Sequence, residues 1–261
     1  MENNISITDP KVKANIFVKY FKQIGNLNNV HVPLATELEI ERSSTEGHHM
    51  EINKSIVISE LNSAIKSLKM KSPGSDMIHN IFFKHIPTRI HSDLLKMINK
   101  SWETSEVPDK WKESIVIPIL KPNKDETKPE SYRPIALLSC TGKLMEKIVQ
   151  KRLEWFVESN NILSKSQCGF RRGLSTIDVL LRLENIIRSS LLNREICLVI
   201  YLDLSSAINR VHHMGILSKL AGAVIKGNIL AWISVHWSVH GGVFISVHGE
   251  CSWGDDGMAF I

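Results

Sequence analysis

Apolar positions repeat at helical spacing over most of the chain, but the stretch around which the rest is organised shows no periodicity. Residues 196–202 (ICLVIYL) form an almost unbroken apolar run rich in β-branched side chains, the pattern of a strand buried on both faces. It predicts a central strand with helices over both sides. Upstream, residues 11–24 set Val12, Ile16, Val18, Phe21 and Ile24 at the spacing of one amphipathic helix. Residues 59–70 predict another, with Ser59 as N-cap and Leu61, Ile65 and Leu68 on one face, stopped by the KSPG of 71–74. A helical pattern returns from 79 to 104 through Ile86, Leu94, Leu95, Ile98 and Trp102, with Pro87 and Pro108 interrupting it.

Residues 114–120 (SIVIPIL) read as a strand whose Pro118 places its far end at a sheet edge or bulge. A charged, proline-flanked turn at 121–129, free to swing in solvent, leads into a second short apolar run, YRPIALLS at 132–139. Together they predict a β-hairpin. The clearest helix is 142–158, with Leu144, Met145, Ile148, Val149, Leu153, Phe156 and Val157 on one side and Lys143, Lys147, Lys151 and Arg152 facing out. Ser175 and Asp178 form a capping box for a further helix running to 192. These last two helices are the expected cover for the 196–202 strand.

With 261 residues, 43% of them hydrophobic, the chain can bury one large core or two modest ones. The net charge of +5 suits a nucleic-acid partner without requiring one. It is also localised: residues 165–194 hold six basic side chains (Lys165, Arg171, Arg172, Arg182, Arg188, Arg194) against Asp178 and Glu184. Cys140, Cys168, Cys197 and Cys251 form no CxxC pair, so reduced thiols in an intracellular protein are expected. The sequence shows neither a signal peptide nor an apolar run of membrane-spanning length, so a soluble protein is expected. Residues 26–51 are polar and read as a linker, His48 and His49 being solvated.

Three places hold candidate chemistry. Asp203 ends the 196–202 run, where a bare carboxylate needs a cation, a metal or a helix N-terminus; capping a helix near Ser205 is the simpler role. The loop QCGFRRGLST (167–176) sets a Phe and two arginines between glycines, a way to hold a phosphate backbone beside a stacking platform. Asp255 and Asp256 fall in WGDDGMAFI (253–261), where Asp-Asp-Gly is also a good hairpin turn without any chemistry. His236 and His240 are four apart, yet no further ligand follows at zinc spacing.

Five segments, KSPGSDMI (71–78), IPILKPNKD (117–125), YRPIALLS (132–139), QCGFRRGLST (167–176) and YLDLSSAINRVHH (201–213), resemble in this order the successive motifs of a reverse transcriptase. The nearest group is that of non-LTR, LINE-type, jockey-like retrotransposons, and the resemblance spans roughly residues 50–220. It implies an α/β (α+β) fold, the fingers and partial palm of a right-hand polymerase, with the thumb absent. Residues 1–50 would be the linker after an endonuclease domain, 51–195 the fingers and start of the palm, and 196–261 a truncated palm. By the same resemblance Lys121 and Arg133 hold the incoming nucleotide's triphosphate. Gln167, Gly169, Phe170, Arg171 and Arg172 touch the template. Asp203, the Leu204 carbonyl and Asp255, with Asp256 beside it, form a two-metal Mg²⁺ site. The implied partners are an RNA template, a DNA primer and deoxynucleotides.

The chain departs from the family's pattern at several points. Ile208 stands where the family has an aromatic that rejects ribonucleotides, and Asn209 where it has an acid. No Pro-Gln-Gly occurs, and Asp255 follows Asp203 by only 52 positions, so a segment is expected to be missing near 249–253. The readings left open are an impaired polymerase fragment, a nucleic-acid-binding remnant without catalysis, and a translated pseudogene product of poor stability.

Overall fold

The computed structural model describes residues 9–25, 50–204 and 212–240, with side chains to 236. Its elements are helices α1 (Pro10–Gly25), α2 (Ile58–Ser67), α3 (Asn80–His85), α4 (Thr88–Thr104) and α5 (Asp109–Lys112), strands β1 (Ser114–Leu120) and β2 (Tyr132–Leu138), then α6 (Cys140–Ser159), α7 (Thr176–Leu192), α8 (His213–Gly222) and α9 (Asn228–His240). Short 3-10 turns lie at Glu51–Asn53 and Pro129–Ser131. The described residues fall into two compact units, divided after Glu154 inside α6, with 155–204 as the second.

The first unit owes its core to amphipathic helices that pack around the near-uniformly apolar α9. α9 packs on α4, α5, α8 and the Glu51–Asn53 turn, and α4 on α2. Trp102, Trp232, Ile98, Leu61, Ile225 and Ile229 are fully buried there. Polar groups inside the core are hydrogen-bonded, as burial demands. Asn53 takes the place of a cap for α9: its Nδ2 donates to the Lys226 carbonyl (2.8 Å) and its Oδ1 accepts the Ile229 N–H (3.1 Å). Its carbonyl accepts the Trp102 indole N–H at 3.2 Å. The Asn99 amide brackets Ile56 through both backbone groups, at 2.7 and 2.9 Å.

α2 is capped two residues before the expected position. Its N-cap is Val57, whose N–H the Glu60 carboxylate accepts at 3.0 Å, so Ser59 lies in the first turn. Pro87 does separate two helices, α3 and α4. Segment 71–74 must approach the junction of β2 and α6 closely, because a Cβ on Gly74 would lie 2.5 Å from the backbone of Leu138 and Ser139.

α6 is enclosed rather than one-sided over its first half. Lys143, expected to face out, is 4% exposed and donates to the Ser72 carbonyl at 3.2 Å. Glu146 is buried against His236, with Nε2 to Oε1 at 3.1 Å, and the imidazole stacks on Trp232. Arg152, also expected outside, has a side chain only 11% exposed. Its guanidinium holds both Glu60 oxygens (2.8 and 2.7 Å) and the carbonyls of Ile52, Lys54 and Ser55, 5.3 Å from the Trp102 ring centroid.

The sheet of the described residues is the antiparallel β1–β2 ribbon, so the fold is mixed helix and strand with helix dominant. Its register runs from Ser114↔Leu138 to Leu120↔Tyr132 without a bulge. Pro118 faces Pro134. Since Lys121 N–H bonds the Ser131 carbonyl (2.8 Å), alternation puts both prolines at a non-hydrogen-bonded pair, where neither lacks a needed donor.

The expected central strand is not formed. Residues 195–204 carry no regular secondary structure, and Ile196 and Leu198 are 99% and 81% exposed. A strand buried on both faces needs ladder partners, and no described strand outside the ribbon is available to supply them. α7, expected to help cover that strand, has no buried residue.

Candidate functional site

The β1–β2 ribbon positions the two candidate nucleotide-binding cations. Lys121 pairs with Ser131 just beyond the ladder, and Arg133 lies two residues along from Ser131. Side chains alternate along a strand and cross-strand partners share a face, so Lys121 and Arg133 are diagonal neighbours on one face. Burial pushes the Lys121 ammonium below its usual pKa, and the nearby Arg133 and Lys124 charges push the same way. Two cations held this close favour an anion between them. Lys121 Nζ gives one hydrogen bond to the Glu130 carbonyl at 2.8 Å.

The turn between the strands is bonded within itself, unlike the free-swinging turn expected. The Asp125 carboxylate accepts the Thr127 N–H (2.9 Å) and hydroxyl (2.7 Å). Tyr132 donates its hydroxyl to the Glu126 carbonyl (3.0 Å), and its ring meets Phe17 of α1 edge-on at 4.8 Å. These bonds hold the ends of the turn, and with them Lys121, in place.

In the second unit the 167–176 loop divides its residues between framework and surface. Arg171 Nε and Nη2 chelate the Glu158 carboxylate, and Nη1 donates to the Ser164 carbonyl at 3.0 Å. The pair is mutually reinforcing: hydrogen bonding to Arg171 holds Glu158 below the usual carboxylate range and raises the guanidinium. Gln167 donates to the Gly169 carbonyl at 3.2 Å, and Cys168 is buried. Phe170 and Arg172 point outward. Phe170 has a left-handed backbone (φ +58°) and is 79% exposed; Gly173, at φ +74°, completes the bend. An L-aromatic in that region is strained and is held there by its surroundings. Thus Arg171 builds the loop, while Phe170 and Arg172 face solvent.

Asp203 and Leu204 are exposed at the end of the irregular segment. Ile208, Asp255 and Asp256 lie outside the described residues. Among the described residues no group of three or more His, Cys, Asp or Glu side chains could hold a metal ion. Asp203 and Leu204 are the described members of the carboxylate set that the resemblance implies, and no chemical step through a metal is assigned to them. His236, the other metal candidate, is engaged with Glu146. Cys140, Cys168 and Cys197 are free thiols, and burial pushes that of Cys140 up; Cys251 lies outside the described residues. No described helix is long and apolar enough to cross a membrane.

Residues 119–249 match the sequence profile of the reverse transcriptase (RNA-dependent DNA polymerase) family. The chain belongs to that family, in its non-LTR, jockey-like branch. It is 38% identical over 168 residues to a probable RNA-directed DNA polymerase from transposon BS of Drosophila melanogaster, covering 64% of this chain and 18% of that protein. Over 156 residues it is 32% identical to the corresponding protein of transposon X-element (60% and 17%), and over 165 residues 31% identical to the RNA-directed DNA polymerase from mobile element jockey (63% and 18%), both from the same fly. The chain spans less than a fifth of each of these relatives.

Proposed function

We propose that this chain is the fingers and the start of the palm of a retrotransposon reverse transcriptase, whose whole protein copies an RNA template into DNA from a primer 3′-hydroxyl. Residues 51–195 are then fingers and the entry to the palm, and 196–261 palm. The observation that carries the reading is the placement of Lys121 and Arg133 on one face of the hairpin, where they hold the triphosphate of a deoxynucleotide. Phe170 and Arg172 take the template by stacking and phosphate contact. Mg²⁺ would belong to a carboxylate set of Asp203 with Asp255 or Asp256 and the Leu204 carbonyl.

Titration of a deoxynucleoside triphosphate into the full chain tests this. Lys121→Met and Arg133→Met should each weaken binding about tenfold, matching a charge-assisted contact of ~1.5 kcal/mol. Unchanged affinity in both variants refutes the assignment. A second reading, binding without catalysis, is favoured by the short spacing of 52 positions from Asp203 to Asp255 and by the lack of a Pro-Gln-Gly between them. It predicts no primer extension on an RNA template with Mg²⁺ or Mn²⁺. Extension abolished by Asp203→Ala overturns it.

A further inference from the structure

We propose that a cavity of about 590 Å³ between residues 70–79, strand β2 and the first turn of α6 is a second phosphate site, which binds one nucleotide unit of a nucleic-acid strand. Lys71, Ser72, His79 and Lys143 supply its polar lining, and Met70, Ile135 and Leu137 its apolar wall. Two ammonium groups beside a hydroxyl suit a phosphate, and an apolar wall suits a sugar or base. The volume lies within the range of small-ligand sites, ~300–1,000 Å³.

Lys143 makes this more than a basic patch. It is 4% exposed, has lost its hydration, and gives its hydrogen bond to a neutral carbonyl, that of Ser72. It lies in the first turn of α6, whose dipole opposes a cation. Glu146 and Asp76 favour its charge and Lys71 opposes it, but burial outweighs them and its pKa is lowered. Glu146 is moreover shared with His236. An anion in the cavity would return to Lys143 what burial removed. Gly74 allows the wall to form, since any side chain there would force residues 71–74 off the end of β2.

The cavity also continues a surface already described. Ile135 and Leu137 share the ribbon face of Arg133, and at ~3.4 Å per residue they lie about 7–14 Å along β2 from it. A strand running along this face meets cations at both places. The site stands on its own chemistry, and rests on the polymerase reading only in the choice of a nucleic acid over another phosphate ligand.

The test is fluorescence anisotropy of a labelled short ribo-oligonucleotide with the full chain, at about 50 and about 200 mM salt. Lys71→Met and Lys143→Met should each weaken binding severalfold and lower the slope of log affinity against log salt by about one. Lys71 is exposed, so its variant keeps the fold even if Lys143→Met does not. Unchanged affinity and slope in Lys71→Met and in a folded Lys143→Met overturn the proposal. Competition by adenosine monophosphate, lost in Lys71→Met, assigns the site to a free nucleotide; its failure to compete while the oligonucleotide binds assigns it to a strand. If Lys121→Met and Arg133→Met leave triphosphate binding intact, the polymerase reading of the hairpin falls while this site stands.

Discussion

Replacing Arg152 by Met should destabilise the first unit by about 3 kcal/mol. Breaking a buried ion pair costs ~3–5 kcal/mol when the other partner stays uncompensated. Glu60, however, has a side chain 30% exposed and can rehydrate, which moves the figure to the low end. The carbonyls of Lys54 and Ser55 belong to exposed residues and recover water, whereas that of buried Ile52 is orphaned at ~1–3 kcal/mol, overlapping the first term. Losing the contact over Trp102 adds ~0.5–1 kcal/mol. Met replaces the aliphatic stem, so no cavity term is added.

The assay is urea unfolding of the full chain followed by tryptophan fluorescence, Trp102 lying directly beneath the guanidinium. For a unit of this size the thermal midpoint should fall roughly 6–12 °C. The same contact predicts a pH signature. Burial raises the Glu60 pKa, but the Arg152 and Val57 hydrogen bonds and the Arg152 charge together hold it below 4.5. A lowered carboxylate stabilises the fold above its unfolded pKa, and that contribution is lost as pH falls through the folded value. The wild type should therefore weaken below about pH 4.5, and the variant, in which burial is opposed only by the Val57 hydrogen bond, should lose most of that acid sensitivity. A double-mutant cycle with Glu60→Gln should give a coupling of ~1.5–3 kcal/mol. A coupling near zero, or an Arg152→Met midpoint equal to wild type, would refute the reasoning.

Gly74→Ala drives a Cβ to 2.5 Å from the Leu138 and Ser139 backbone and should cost ~2–3 kcal/mol, read as a lower unfolding midpoint. Asn53→Ala removes both bonds that start α9 and should cost ~2 kcal/mol, with helical circular dichroism lost ahead of the main transition. Arg172→Ala should lower the salt slope of RNA binding by about one without changing stability, whereas Arg171→Ala should destabilise the second unit by ~1–3 kcal/mol. If Arg171→Ala leaves stability unchanged, the division of labour in that loop is wrong.

What the sequence determined by itself was local or linear. Helices α1, α2, α4, α6 and α7 follow from apolar residues recurring at helical spacing. The β1–β2 hairpin follows from two short runs about a turn, and its register then sets Lys121 beside Arg133. Family membership was legible because the motifs keep their order along the chain. Near-uniform apolar stretches were ambiguous: α9 (NILAWISVHWSVH) lacks a polar face that would reveal a helical period, and 196–202 lacks one that would reveal a strand face. Which conformation such a run adopts depends on partners that its own residues do not encode. Tertiary structure alone decided the fate of the charged side chains. Periodicity set Lys143 and Arg152 on the polar side of α6, and on an isolated helix both would be solvated. The segments at 52–55 and 72 close over them with backbone carbonyls, and only a cation can satisfy so many acceptors at once. Arg171 likewise became framework because Glu158 and Ser164 stand within its reach, which left Phe170 and Arg172 to face solvent.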